Sequence, residues 1–133
     1  MEIVSGPLTQ GQILHEVVEI VNSLRSHNVE HVVVTHGWGS NLDTDQLWKE
    51  ITLNVDDLRA FIQNSIEKGV FSPGRADLFI RDEARTLKFT LCHESDIHLV
   101  TDDRGVIDQT VRRWAEKRYG GHKSNPEGGW SPL

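Results

Sequence analysis

One cysteine, Cys92, is all that the 133 residues contain, which excludes an internal disulfide and suits a reducing compartment; the cytoplasm is the expected location. No apolar run approaches the roughly 20 residues that span a bilayer, so no membrane association is expected. No basic segment followed by an apolar stretch opens the chain, so no signal peptide is expected either. The phosphate-cradling patterns Gly-x-x-x-x-Gly-Lys and Gly-x-Gly-x-x-Gly are missing, and with them any support for nucleotide binding. Cations are in deficit: 14 Lys and Arg stand against 20 Asp and Glu, a net charge of −6. Residues 1–103 hold 8 cations against 17 acids, whereas residues 104–123 hold 6 against 2. An acidic body disfavours nucleic acid, whose phosphates need clustered cations. It suits a basic protein partner.

What is present reads as one α+β domain over residues 1–120, followed by a flexible Gly/Pro-rich tail at 121–133. Met1 to Pro7 reads as a loose arm whose Ile3 and Val4 can pair on a sheet edge. Thr9-x-x-Gln12 is a capping box, and Leu8 can staple onto Ile13 across it. Behind it Ile13, Leu14, Val17, Val18, Val21 and Leu24 recur at helical spacing to Ser26, leaving His15, Glu16, Glu19 and Asn22 as a solvated face. Val29 to Thr35 is a β-branched strand. It runs into Gly37-Trp38-Gly39, where two glycines can place an indole, most simply as a lid on the core. A turn of helix from Asp43 and a strand near 48–53 are expected next. Asn54 then caps a helix over 54–69, with Asp56 and Asp57 at the positive end of its dipole.

The stretch Asp77–Asp103 carries the clearest strand signals. Leu78 and Ile80, then Leu87, Phe89 and Leu91, then Ile97 and Leu99 alternate with polar neighbours at period two. Two polar links, Asp82-Glu83-Ala84-Arg85 and Glu94-Ser95-Asp96, turn these runs into an antiparallel meander. A last helix over 103–119 buries Val106, Ile107, Thr110, Val111 and Trp114, with Arg112, Arg113, Lys117 and Arg118 near its negative end. The expected order is α-β-β-α-β-β-β-α, a mainly antiparallel sheet of four to five strands with three packed helices. The helical link between the second and third strands leaves room for one parallel pair. Leu14, Val18, Val21, Val33, Leu58, Ile62, Leu78, Phe89, Leu91, Leu99, Val111 and Trp114 are the expected core.

Cys92, His93, Glu94, Ser95, Asp96 and His98 form the one dense cluster of chemically capable side chains. As a metal site it needs His93 and His98 to converge across the turn, with Glu94 or Asp96 adding an oxygen. Cys92 and His93 have the residue types of a thiol–imidazole pair, but neighbours on a strand point to opposite faces. A hydrogen-bonded turn accounts for all six without chemistry, so no metal and no cofactor are expected. Two functions from different classes follow. The favoured one is a non-catalytic, acidic protein-binding module, of the inhibitor, immunity-type or adaptor kind. It would act through Asp43, Asp45, Asp56, Asp57 and Trp38. The alternative is a small metal- or acid–base-dependent enzyme built on His93, Glu94, Asp96 and His98, with His36 or Trp38 lining its pocket.

Overall fold

The computed structural model describes residues 1–133 as eight strands and three helices. In chain order these are β1 (Glu2–Ser5), α1 (Gln10–Ser26), β2 (His31–His36), β3 (Ile51–Asn54), α2 (Leu58–Glu67), β4 (Leu78–Asp82), β5 (Leu87–Leu91), β6 (Ile97–Thr101), α3 (Arg104–Glu116), β7 (Gly121–Ser124) and β8 (Trp130–Pro132). All eight strands join one sheet in the order β3-β2-β4-β5-β6-β1-β7-β8, and every neighbouring pair is antiparallel. The mixed α+β class and the β4–β5–β6 meander are as expected. The sheet of four to five strands is not: there are eight, the element order begins and ends in strand, and no pair is parallel. No helix is long and apolar enough to cross a membrane.

The three additional strands share a physical reason for being illegible. β1 is four residues long, too short for alternation to stand out, yet it lies inside the sheet. Ile3 pairs with Leu99 of β6 on one side and Lys123 of β7 on the other. Ser5 is buried because its hydroxyl accepts the Ile97 amide at 3.0 Å and donates to the Gly6 carbonyl at 2.9 Å. β7 and β8 bury almost nothing; they extend the sheet past residue 120 through backbone pairing, helped by the Ser124 hydroxyl on the Glu2 backbone, without an apolar pattern. Residues 44–48 form turns, residues 43–48 are neither helix nor strand, and β3 starts only at Ile51.

Alternation sorts the strands into two faces. Ile3, Val32, Val34, Leu78, Ile80, Leu87, Phe89, Leu91, Ile97 and Leu99 point to the helices and form one core with Ile13, Val17, Ile20, Leu24, Leu58, Ile62 and Trp114. Of the expected core, Leu14 and Val111 only pack against it in part, and Val18 is half-buried. Val33 is buried, but on the opposite face, since its ladder partners are Thr52 and Arg81.

The stripe of α1 is turned relative to the expected one. Its buried residues are Ile13, Glu16, Val17, Ile20, Val21 and Leu24, so Glu16 belongs to the inner face and not to the solvated one. Glu16 is 1% exposed and satisfied by α3. Its carboxylate accepts from Trp114 Nε1 at 2.7 Å and from Arg113 Nη2 and Nε at 2.9 and 3.1 Å. Arg113 therefore anchors α3 on α1 instead of only complementing the helix dipole. A buried carboxylate left without its cation costs about 3–5 kcal/mol. Arg113→Met should lower stability by that amount in urea denaturation, and a loss under about 1 kcal/mol would show that water reaches Glu16.

Candidate functional site

The sheet face away from the helices has no covering layer, and the residues of chemical interest gather at one end of it. Three backbone connections build that end. The β2–β3 loop returns to its own strand where the Trp48 amide donates to the His36 carbonyl at 2.8 Å, and it is tied to the α2–β4 connection where Asn41 donates to Val70 at 3.0 Å. Asp77, just before β4, then clamps the loop from both sides. Its carbonyl accepts the Gly37 amide at 3.0 Å, and its amide donates to Trp38 at 2.7 Å. Glycine is required at both ends of this Gly-Trp-Gly unit. A Cβ on Gly37 would meet Phe79 at 2.7 Å and the Trp48 ring at 2.9 Å, while Gly39 sits at φ +80° with the Arg75 carbonyl 2.4 Å from where its Cβ would be.

The clamp leaves both loop tryptophans on the outside. Trp38 is 66% exposed and tilts over the His93 ring with 6.5 Å between centroids. It is not a lid on the core. Trp48 is 57% exposed and leans on Phe79 at 5.7 Å. Phe79 lies in the uncovered row Thr35–Phe79–Thr90–His98–Val4, given by the strand registers.

Asp77 also fixes the turn between β5 and β6. Its Oδ1 accepts the His93 amide at 2.7 Å and His93 Nδ1 at 2.8 Å. A carboxylate here can only accept, so Nδ1 carries the proton and Nε2 is left facing outward, 3.9 Å from exposed Glu94. Ser95 takes the left-handed conformation that tightens the turn (φ 67°), and its hydroxyl donates to the Gly74 carbonyl at 3.2 Å. Across the ladder, His98 is held at both nitrogens: Nδ1 by Glu2 at 3.0 Å and Nε2 by Asp96 at 3.1 Å. The Asp96 bond, opposed by burial and helped by Glu2, raises its pKa to about 9, so it is an imidazolium at neutral pH. Burial would raise Asp96, but the bonds from His98 and the Cys92 thiol outweigh it and hold this acid below its ordinary value.

Comparison with protein-family models, with curated proteins and with solved structures finds no match in any of the three.

His93 and His98 do not converge. Candidate ligand atoms fall into two groups, Asp77–Cys92–His93 and Cys92–Asp96–His98, whose members lie within 4.8 Å of one another, and neither contains both imidazoles. His98 has no free lone pair to offer a metal while both carboxylates hold it. Cys92 is also poorly placed for nucleophilic work. Burial pushes its thiol up to about 12, and the Asp96 and Asp77 charges add to that, so the thiolate is not formed at neutral pH. Its sulfur lies 3.9 Å from His93 Nδ1, the nitrogen already donating to Asp77, and so no base is oriented toward it.

Of the expected binding acids, Asp43 and Asp45 are exposed on the same loop as Trp38 and Trp48. Asp56 is already paired with Arg25 at 2.6 Å, and Asp57 is exposed near the start of α2, on a different element. Sequence reasoning missed Asp77, Glu2, Trp48 and Phe79. Glu2 reaches His98 only because β1 pairs with β6, a contact between residues 96 apart that no local pattern announces.

The His98 imidazolium ties β1 to the β5–β6 hairpin, and its sign fixes a pH dependence. A folded pKa above the unfolded value near 6.5 means the contribution is complete below pH 6.5 and is lost as pH rises through about 9. The amount is on the order of 2–3 kcal/mol. His98→Gln should be less stable than wild type at pH 6 and equal to it at pH 10. Parallel stability–pH curves for the two proteins would refute the assignment.

Proposed function

We propose that this chain is a non-catalytic protein-binding module that meets a basic partner through the end of its uncovered sheet face, with Trp38 and Trp48 as anchors and Asp43, Asp45 and Glu94 as flanking acids. One observation carries this reading: two largely exposed tryptophans stand on one loop that five ordered features hold in place, namely the Asp77 clamp, the Trp48–His36 and Asn41–Val70 bonds, and the two glycines. An indole in water is a cost that folding usually avoids, and tryptophan is the residue most enriched among interface residues that dominate affinity. A rigid loop also loses little entropy on association. The net charge of −6 supports a cationic partner. Inhibitors, immunity-type proteins and adaptors work in this way.

A second reading has one observation in its favour. Asp77 orients His93 with Nε2 outward beside Trp38, the posture of a general base or of a single metal ligand backed by a carboxylate. Stoichiometric zinc, iron or manganese in untagged protein, released by His93→Ala, would favour it over the first.

The binding reading is tested with the paired variant Trp38→Ser, Trp48→Ser, which should keep the wild-type melting temperature because both rings are exposed. Proteins retained from extract by immobilised wild type are purified and their affinity measured by titration calorimetry. A partner of alkaline isoelectric point that binds one to one and at least about 30-fold more weakly to the paired variant is expected. Retention of nothing, or of partners indifferent to the loss of both indoles, would remove this reading.

A further inference from the structure

We propose that the cleft between the β2–β3 loop and α2 binds a small organic anion, a carboxylate carried on a compact apolar body. This site is separate from the tryptophan surface and does not rest on the protein-binding reading. The cleft has a volume of about 490 Å³, within the range of small-molecule sites. Its apolar part is Leu42 and Ile51 from the loop side, and Phe61 and Val70 from the α2 side.

His36 points to the ligand. It ends β2 on the helix side of the sheet, is 4% exposed, and stacks on Phe61 with 5.6 Å between centroids. Its Nδ1 is fully buried and meets no hydrogen-bond partner in the protein. Buried polar side chains are almost always bonded, and one left unpaired costs about 1–3 kcal/mol, so an imidazole that lines a cleft without a partner marks a place where a polar group is expected. Burial lowers the pKa of His36, which keeps the ring neutral and able to donate from one nitrogen. A carboxylate oxygen is the acceptor that such a donor prefers over a neutral carbonyl.

The charge of the cleft argues the same way. Lys49 and Lys68 both line it, neither belongs to an ion pair, and no acid lines it. The other sizeable clefts lack this character. One sets Arg85 and Lys88 against Asp102 and Asp103, with His27 already bonded to Asp103 at 3.0 Å. Another holds the Arg25–Asp56 pair. Gln46 and Asn64 add amides that can bond the second carboxylate oxygen. The apolar walls and the Phe61 ring select an aromatic or branched acid over a bare inorganic anion.

Amide and imidazole resonances of the full-length protein are followed while benzoate, phenylacetate and 4-methylpentanoate are added, with benzamide and inorganic phosphate as controls. At least one of the three acids should give saturable shifts at Asn64, Ser65, Lys68 and Val70 and at the His36 ring. Benzamide and phosphate should bind at least about tenfold more weakly than that acid. Lys49→Gln with Lys68→Gln should weaken it by about tenfold or more with the melting temperature unchanged. His36→Phe keeps the ring volume and should weaken it by a similar factor; if that variant does not fold, the lysine pair alone decides. No shifts with any of the acids would overturn the proposal. Equal affinity for benzamide or phosphate, or lysine variants that bind as wild type does, would overturn it as well.

Discussion

An eight-stranded antiparallel sheet with helices on one side obliges every strand to divide its side chains between a buried face and an open one. The rest of this structure follows from that division. On the buried side, alternation delivers apolar residues from five strands into one core, and α1 and α3 are locked together over it by a carboxylate that neither could bury alone. On the open side, the same alternation lines up Phe79, Thr90, His98 and Val4 with no helix above them and only the Trp48 ring leaning on Phe79. A residue's parity within its strand thus decides whether it serves stability or is available to a partner. A one-residue slip in β4 or β5 would exchange the two sets.

Much of this division was legible. Period-two runs placed β4, β5 and β6 to within a residue, because most of their inward residues are large and apolar. The capping box at Thr9 marked the start of α1, whereas Asn54 caps a single 3₁₀ turn, Val55–Asp57, that leads into α2 at Leu58; both exploit a local bond between a side chain and an amide three or two residues on. What escaped was non-local or lacked an apolar signature. β1 owes its interior position to partners about a hundred residues away, and β7 and β8 are held chiefly by backbone bonds between short strands that bury little. Glu16 was misplaced for a different reason. Ile13, Glu16, Val17 and Ile20 follow the helical repeat faithfully, but a carboxylate is normally counted as solvent-facing until its buried cation is known.

The histidine cluster shows how residue types mislead when their protons are not accounted for. Cys92, His93, Asp96 and His98 include every group that hydrolytic or metal chemistry would want. Yet each is committed: His98 to two carboxylates, His93 Nδ1 to Asp77, and the Cys92 thiol to its protonated form by burial beside two acids. These bonds hold the β5–β6 turn and tie β1 to the sheet. The outward His93 Nε2 is the one ring nitrogen in the cluster that the fold leaves free of a short bond, and it faces the Trp38 surface.

That surface and the His36 cleft share a construction. Both are made by the β2–β3 loop, which leaves β2 at His36 and rejoins the sheet at β3. Its backbone is pinned by Asp77 near one end and by the Trp48 amide near the other. Pinning of this sort fixes the indoles outward on the open face and, on the helix side, holds Leu42, Gln46 and Lys49 opposite α2. A loop of this length with no regular structure is costly to order, and it ordinarily earns its place through recognition. The two proposed surfaces lie on opposite sides of one loop, where Trp48 and Lys49 are adjacent residues. An anion drawn to Lys49 would act on the same short segment that positions the Trp48 ring over Phe79.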